Sequence, residues 1–462
     1  MIKRMNMKTI LISIIMVVLI SATACGKSAS PTASGNKETG NTATGDTATG
    51  EKAAEPTDLT VWWYAFWNGK DGTPEGWIRE KADEFMALHP NVKKINIEML
   101  PGDTGPQKID TSIAAGSPPD VTYIDLAFLP KYLKQKVVIP ASDYMTQEEI
   151  DDFFKSLSDY ATYDGKLYAL PILIAPRVLY ANKTMLEEMG LADKLPLEGD
   201  RSWTIEQFKE IAQKFPYKKG GKTYYAEQIN TTALNWTHLF WFWNFGADLY
   251  NKGDTQFILN SPEGVKALDF MLEMVDAGSF RLVSGGAKPS DFWAGDLAFS
   301  LGLALTEDKV KETLKEKTPE GQPIPEVVAI QFPRGPGVDI AKSYSGIGGL
   351  TVFKQKKADE NHTKMAMEFA KFLTNGENNK IVKELGVFPT KKSSGDVFGG
   401  DVNAKIARIM MEDGKDLGKG EQTYKIFEKL INAELDSAFS KKKTSQQTLD
   451  DLAKKANDML KQ

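Results

Sequence analysis

Strand-like and helix-like patterns alternate through the first part of the folded chain, and this alternation limits the fold more than any other feature. Residues 58–65, 94–99 and 121–124 have the apolar content or the two-residue alternation of β-strands. Residues 74–88 place apolar side chains at i, i+4 and i+7, which predicts a helix, and 126–135 predicts another. Strands that alternate with helices form parallel βαβ units. The predicted fold class is therefore α/β.

The rest of the chain continues this pattern over more residues than one core usually holds. The run 166–182 is long, apolar and interrupted by proline, and we predict that it crosses between two lobes. Thr204 with Gln207 forms a capping box, and Ser261 followed by Pro262 opens another helix. That second helix is predicted to turn Val265, Leu268, Leu272 and Val275 inward. Because the chain has 462 residues, two α/β lobes fit better than one.

The N-terminus reads as a targeting segment. Lys3, Arg4 and Lys8 precede an apolar run at 10–20 that is shorter than an ordinary membrane span. Small residues then lead to Cys25, the chain's single cysteine, and this arrangement resembles a bacterial lipobox. We predict a lipoprotein signal peptide at 1–24, lipidation of Cys25, and a disordered linker at 25–57 rich in Thr, Ala and Gly. The alternative is an ordinary signal peptide with an incidental cysteine.

Composition excludes several functional classes. The formal net charge is −5 and no basic block is present, which argues against nucleic-acid binding. One cysteine allows no disulfide within the chain and no cysteine-based metal site. The three histidines lie far apart in the sequence. We therefore expect no metal and no cofactor.

An enzyme is the main competing class, for example a lipid-anchored glycoside hydrolase. Such an enzyme needs two carboxylates facing each other across a cleft. Asp120 and Asp125 are close in sequence, but Asp120 reads as the start of a strand, and the acidic pairs 148–149 and 151–152 read as solvated helix faces. The glycines at 346–349 precede a strand rather than a helix, which argues against a dinucleotide site. We predict a protein without catalytic activity.

The aromatic run at 60–68, TVWWYAFWN, is a candidate ligand surface. Its first half reads as a core strand, so Trp62 is predicted to be buried. Phe66 and Trp67 follow that strand, and the carboxyl ends of strands are where open α/β sheets bind ligands. We therefore place Phe66 and Trp67 at a cleft, against the alternative that they belong to the core.

The order of several motifs resembles the extracellular solute-binding lipoproteins of bacterial ABC importers, in the family-1 group with the maltose-binding protein. After the lipobox and linker these motifs are PPDVTYIDLAFLP, GKLYALPILIAPRVLYANKTMLEEMG, RSWTIEQF, FWFWNFGADLYNKGDTQFILNSPEGVKALDFM, FWAGDLAFSLG, GIGGLTVF and GVFPTKK. Together they cover nearly the whole chain from Asp58. The resemblance implies a periplasmic-binding-protein-like fold, in which two α/β lobes joined by hinge crossings close on a ligand cleft.

The resemblance also implies lobe boundaries and binding positions. Lobe one would comprise 58–174 and 345–394, and lobe two 175–344 and 395–462. The implied ligand residues lie in loops facing the cleft or at a crossing: Phe66, Trp67, Asp125, Phe128, Arg177, Trp236, Trp243, Trp293, Tyr344 and Gly348.

Some of these positions have structural alternatives. Asp125 could only cap the helix that follows it, and Arg177 could be a hinge ion pair. At least one of Trp241 and Trp243 is expected in the core. The maltose-binding protein has charged and polar groups where this chain has Phe66 and Trp67, so maltodextrin is not carried over.

These observations lead to a functional prediction. Aromatic rings stack on the C–H faces of pyranoses, while a few charged and backbone groups orient the hydroxyls. We predict a monomer that binds an extracellular carbohydrate, an oligosaccharide, and delivers it to the membrane subunits of an ABC importer. We expect it to be lipid-anchored on the outer face of a bacterial cell membrane, of Gram-positive type. A binding protein for a non-sugar solute, or a sensor component, is the alternative.

Overall fold

The computed structural model confirms the α/β class. It describes residues 55–102, 104–231, 237–284, 288, 290–357, 359–411, 414–415, 417–418 and 421–461. Cys25 and the predicted signal peptide lie outside these ranges, as does the linker except for its last residues. Within the described ranges, no helix combines the length and apolarity needed to cross a bilayer.

Strands are spread along the chain between helices. They are β1 (Thr57–Tyr64), β2 (Val92–Leu100), β3 (Val121–Asp125), β4 (Thr162–Tyr163), β5 (Lys166–Leu167), β6 (Leu170–Asn182), β7 (Tyr217–Lys219), β8 (Lys222–Tyr224), β9 (Glu227–Asn230), β10 (Phe280–Val283), β11 (Phe299–Leu303), β12 (Val327–Ile330) and β13 (Ser345–Val352).

Helices separate these strands and dominate the C-terminal part. They are α1 (Gly76–Leu88), α2 (Gly105–Ala115), α3 (Leu129–Lys134), α4 (Gln147–Asp151), α5 (Lys155–Tyr160), α6 (Lys183–Glu188), α7 (Ile205–Ala212), α8 (Leu239–Asn244), α9 (Pro262–Asp276), α10 (Glu307–Lys317), α11 (Glu360–Leu373), α12 (Val402–Met411), α13 (Glu421–Ile426), α14 (Asn432–Phe439) and α15 (Ser445–Leu460). Short 3₁₀ segments occur at Leu126–Phe128 and Asn378–Leu385, among others.

The main sheet is mixed rather than wholly parallel. Among the described residues it has seven strands in the order β11-β6-β13-β3-β1-β2, with β12 also paired to β6. β1 pairs in parallel with β2 and β3, as the βαβ pattern predicts. β13 pairs antiparallel with both β3 and β6, and β11 and β12 pair antiparallel with β6. Within this sheet the expected parallel pairing therefore holds only for the first three strands, and the separate pair of β9 and β10 is also parallel.

Two hydrophobic cores form within residues 54–462, and we call the part of the structure around each core a lobe. Lobe one contains β1, α1 and α11, with buried residues from Leu59 to Val387. Lobe two contains α7, α8, α9 and the C-terminal helices. Leu157 and Phe388 belong to the core of lobe two, although the predicted boundaries assign both residues to lobe one. The exact lobe boundaries stay a prediction.

Strand β6 connects the two cores. Leu170, Ile172 and Leu173 at its start belong to the core of lobe one, whereas Val178 and Leu179 belong to that of lobe two. Its first half pairs with β13, and its second half pairs with β11 and β12. Most of the predicted crossing at 166–182 is thus the one long strand β6, whose backbone N–H and C=O groups are paired on both sides of the lobe boundary.

The sequence predicted the N-terminal caps of two helices more accurately than it predicted which side of α9 is buried. Thr204 Oγ1 accepts from the Gln207 N–H at 3.2 Å and Gln207 Oε1 accepts from the Thr204 N–H at 2.8 Å, which confirms the capping box. Ser261 caps α9 as predicted, with Oγ accepting from the Gly264 N–H at 3.2 Å. Of the four α9 residues predicted to point inward, one is fully buried and three are partly buried against the core of lobe two.

On α9, Leu268 is buried, but Val265, Leu272 and Val275 are only partly buried. Ala267, Met271 and Met274 are fully buried instead. The reason is that α9 contacts α8, α15 and β10. The buried stripe is therefore displaced toward the small and flexible side chains that fit between these elements.

A buried carboxyl group lies inside lobe two. Glu227 on β9 accepts from the indole N–H of Trp241 at 3.1 Å and is 4% exposed. Burial raises the pKa of Glu227 to about 8, partly opposed by that hydrogen bond. The folded protein therefore holds a proton on Glu227 at pH values where the unfolded chain has lost it, and stability falls as the pH rises from about 4.5 toward 8.

We expect Glu227→Gln to flatten this pH dependence, since the amide oxygen can still accept from Trp241 and no longer ionises. The difference in unfolding free energy between wild type and variant should change by roughly 1 kcal/mol per pH unit within that window. Urea unfolding at pH 5 to 9 measures it, with the exposed Glu320→Gln as control. Parallel curves for wild type and Glu227→Gln would contradict the assignment.

Candidate functional site

The candidate site lies where β3, β13 and β6 run side by side at the junction of the lobes. Directly opposed residues in antiparallel strands point to the same face, and alternate residues share a face. Gly348 opposes Asp125 on β3 and Leu173 on β6, and Gly346 opposes Ala175. Along β6, Ala175 and Arg177 are half-buried, whereas their neighbours Ile174, Pro176 and Val178 are buried. We call the half-buried side the cleft face.

Aromatic rings form the lobe-one wall of the cleft face. The Phe66 and Tyr123 ring centroids are 4.5 Å apart in an edge-to-face arrangement, and Tyr64 contacts both rings at 5.6 and 5.8 Å. Burial raises the pKa of Tyr64 to about 12 and raises that of Tyr123 further. Both phenols are therefore neutral at physiological pH, and each is both donor and acceptor.

Gly348 makes room for Tyr123 rather than presenting a side chain of its own. A Cβ at Gly348 would overlap the Tyr123 hydroxyl and ring. A Cβ at Gly346, two residues earlier on the same strand, would meet Tyr344 only at 4.0 Å. The glycine predicted as a ligand residue thus fixes the position of an aromatic side chain that the sequence prediction did not include.

Asp125 caps a short helix and also lies on the cleft face. Its Oδ1 accepts from the Ala127 N–H at 2.9 Å, so it does cap the short helix Leu126–Phe128. It also lies on the cleft face, half-buried, and its carboxylate helps to raise the pKa of Tyr123. Burial raises the pKa of Asp125, and the Ala127 N–H partly opposes this shift. Phe128, at the end of the same short helix, is half-buried against the core of lobe one.

Arg177 and Tyr344 occupy the crossing between the lobes. The backbone of Arg177 is held by Ser343, whose Oγ donates to the Arg177 carbonyl at 2.9 Å. Burial lowers the pKa of Arg177 to about 10, with Tyr344 and Tyr180 partly opposing the shift, so the guanidinium stays charged at neutral pH. Tyr344 also contributes to the raised pKa of Tyr123. Tyr344 is therefore close to both the lobe-one wall and Arg177.

Two predicted lobe-two tryptophans, Trp243 and Trp293, lie away from the cleft face. Trp243 is 2% exposed and packs against Phe240 within the core, so no ring face is available to a ligand. All six residues of α8 are buried, so Trp243 is enclosed together with the rest of its helix. Trp293 is half-buried and packs against Tyr180 at 5.1 Å, and Tyr180 lies three residues beyond Arg177, on the other face of β6. Trp236 lies outside the described residues.

The predicted set therefore divides. The structure brings together Phe66, Asp125, Arg177, Tyr344 and Gly348, and it does not bring Trp243 or Trp293 to the same face. Trp67 is 5% exposed and packs against Trp63 and Trp77 in the core of lobe one. Sequence reasoning missed Tyr64 and Tyr123. Tyr123 could have been found because it lies two residues before Asp125 on one strand.

We expect Gly348→Ala to disturb the lobe-one wall, because its methyl group must displace Tyr123. Overpacking of this kind costs about 1–3 kcal/mol. Thermal denaturation should give a lower melting temperature for Gly348→Ala, and tyrosine fluorescence should change. Gly346→Ala is the matched control and should melt like wild type. Equal melting temperatures for both variants would contradict this role of Gly348.

Comparisons with known proteins identify the relatives of this chain. Residues 80–408 match the family model described as bacterial extracellular solute-binding protein. A binding protein of Brucella abortus (strain 2308) is 25% identical over 247 residues, which is 53% of this chain. The matched region spans 57% of that relative's own length.

Two further relatives match over most of the chain. The sn-glycerol-3-phosphate-binding periplasmic protein UgpB of Escherichia coli O1:K1 / APEC is 25% identical over 432 residues, covering 86% of this chain and 92% of UgpB. The crystal structure of a cyclic alpha-maltosyl-1,6-maltose binding protein from Arthrobacter globiformis superposes with a TM-score of 0.72 at 19% identity, covering 88% of this chain and 99% of that one. These relatives are named as binding proteins.

Proposed function

Because this chain belongs to the bacterial extracellular solute-binding proteins, we propose that it captures an oligosaccharide between its two lobes and delivers it, chemically unchanged, to an ABC-type importer. The observation that carries the proposal is the meeting of Phe66 and Tyr123 with Arg177 and Tyr344 at the strands that join the lobes. A ligand bound there contacts both lobes and so stabilises their closed arrangement.

The chemistry of the cleft face suits a neutral sugar. Phe66 and Tyr123 are half-buried, so both rings keep exposed surface that can stack on the C–H face of a pyranose. Asp125 supplies an acceptor, Arg177 supplies donors, and the neutral phenols supply both. Directed hydrogen bonds of this kind fix the orientation of hydroxyls, while the aromatic rings contribute most of the buried area.

A second candidate ligand is a glycerol phosphate ester. The observation that favours it is the buried guanidinium of Arg177, since arginine binds phosphate oxygens in a bidentate manner. The relative UgpB, which matches 86% of this chain, is named for sn-glycerol-3-phosphate. Oligosaccharide remains the first proposal, because a small phosphate ester does not need the aromatic wall of Tyr64, Phe66 and Tyr123.

We also propose that the protein acts at the cell surface. Lipid chains on Cys25 would bury methylene groups in the outer face of the membrane, and the Thr- and Gly-rich linker up to residue 57 would let the binding lobes reach the importer. In this arrangement the protein is a monomer that works beside the membrane subunits.

A panel of ligands tests the binding proposal. Isothermal titration with maltooligosaccharides, mannooligosaccharides, chitooligosaccharides, sn-glycerol-3-phosphate and glycerophosphocholine should give saturable binding of one saccharide series, with the sugar unchanged by NMR afterwards. Phe66→Ala should weaken this binding about tenfold, which corresponds to the loss of one stacking ring. Phe154→Ala is the control, since Phe154 is 42% exposed and lies away from the cleft face.

Three results of this panel would contradict the oligosaccharide proposal. Hydrolysis of a saccharide would indicate an enzyme. Equal effects of Phe66→Ala and Phe154→Ala would place binding elsewhere. Binding of phosphate esters alone, abolished by Arg177→Gln, would favour the second candidate.

The anchoring proposal has its own test. In a Gram-positive host, Cys25→Ser should release the protein into the medium or leave it unprocessed, whereas wild type should stay with the membrane and partition into detergent. The nearby substitution Ser28→Ala is the control, because it leaves the cysteine in place. Membrane association of Cys25→Ser equal to that of wild type would contradict lipid anchoring.

A further inference from the structure

Beside the cleft face, lobe one has a groove. Only Phe66 and Trp67 of the predicted binding residues line it. Its volume is about 720 Å³, within the range of small-molecule sites. It lies between the loop after β1, helix α1 and the 3₁₀ segment Asn378–Leu385, and we call it the α1 groove. Its lining includes Phe66, Trp67 and Trp77 on one side and Ile381 and Leu385 on the other.

Aromatic side chains form the wall of the α1 groove, and their positions are fixed. Trp77 stacks on Trp63 at 5.6 Å and meets Trp67 edge-to-face at 5.2 Å. Within the described residues, the buried Nε1 of Trp67 has no hydrogen-bond partner. A buried donor without an acceptor costs stability. Trp67 and Trp77 are 5% and 6% exposed, so they form a rigid base for the groove rather than open stacking faces.

Charged side chains line the groove in nearly equal numbers. Four lysines and three glutamates contribute to it: Lys70, Lys81, Lys380 and Lys383, with Glu80, Glu377 and Glu384. Lys70 is paired with Glu80, and Lys380 with Glu377 at 2.6 Å. Paired charges leave little net field to attract an anion, but they offer many donors and acceptors to hydroxyl groups.

The α1 groove shares Phe66 with the cleft face and approaches lobe two on another side. Phe66 lines the groove and at the same time contacts Tyr123 in the cleft wall at 4.5 Å. Glu384 lies close enough to Lys309 on α10 of lobe two to raise the pKa of that lysine. A chain-like ligand that extends from the cleft face past Phe66 would thus reach the groove.

We propose that the α1 groove is a second saccharide subsite, so that the ligand is a linear oligosaccharide with one end in the cleft and further units along Phe66 and the charged side chains of the groove. This inference rests on the oligosaccharide function proposed above and extends it to the length of the ligand. The cleft face supplies the contacts to both lobes, and the groove adds affinity that depends on chain length.

A length series combined with a covalent block tests the subsite. Cys25 is the chain's single cysteine, so a Cys25→Ser background allows Lys383→Cys to be alkylated alone with a short polyethylene glycol maleimide. Lys383 is exposed and lines the groove. Lys364→Cys on α11, exposed and away from the groove lining, is the matched control. The probes are the trimer to hexamer of maltose-, mannose- and N-acetylglucosamine-based chains.

We expect affinity to rise about tenfold or more from trimer to hexamer in the series that binds. Alkylated Lys383→Cys should bind the hexamer no better than the trimer, while the unmodified variant and alkylated Lys364→Cys keep the gain. Trimer binding without any gain in length, or a gain that survives alkylation of Lys383→Cys, overturns the subsite and leaves the cleft function intact. An equal loss of trimer and hexamer binding on alkylation also overturns it. Failure of every saccharide to bind overturns both proposals.

Discussion

The pairing of β6 with β13 is the interaction on which the rest of the structure depends. These antiparallel strands run between two separate hydrophobic cores, and their shared hydrogen bonds keep the backbone satisfied at the boundary where neither core covers it. A third segment joins them, because Phe388 and Ile174 exchange backbone hydrogen bonds at 2.9 and 3.1 Å. The candidate binding residues lie on or beside these strands, so any relative movement of the lobes changes the site itself.

The sequence predicted the elements whose signals are local. The capping box at Thr204 and the cap at Ser261 depend on side chains within three residues of the backbone groups they bind, so reading them needs no knowledge of the fold. The long strand through Arg177 was recognisable because its apolar, proline-containing run could not form a helix. The parallel start of the sheet followed from the alternation of strands and helices.

The remaining features depend on packing between residues that are far apart in the sequence, so no short stretch of sequence predicts them. Trp243 was assigned to the cleft from the family resemblance, yet its helix LFWFWN is apolar except for Asn244, which is the pattern of a buried helix. The inward face of α9 was only partly predicted because three elements cover that helix. Tyr123 was missed because its position is set by the absence of a Cβ at Gly348 on a neighbouring strand, more than 200 residues away in sequence.

The aromatic run at 60–68 contributes to three parts of the structure, whereas the sequence predicted only a core strand and a cleft. Trp63 belongs to the core of lobe one, Phe66 belongs to the cleft wall, and Trp67 lies in the core while lining the α1 groove. This division follows from one strand end, because β1 stops at Tyr64 and the chain then turns across the carboxyl edge of the sheet. A single segment of sequence thereby links core, cleft and groove.

The central claim is that a ligand is held by contacts to both lobes and draws them together. Small-angle X-ray scattering of the protein, measured without ligand and then with a saturating saccharide from the binding series, tests this claim most directly. The account predicts a smaller radius of gyration in the presence of the saccharide, and no change with a saccharide that does not bind. Saturable binding with an unchanged radius of gyration would contradict it.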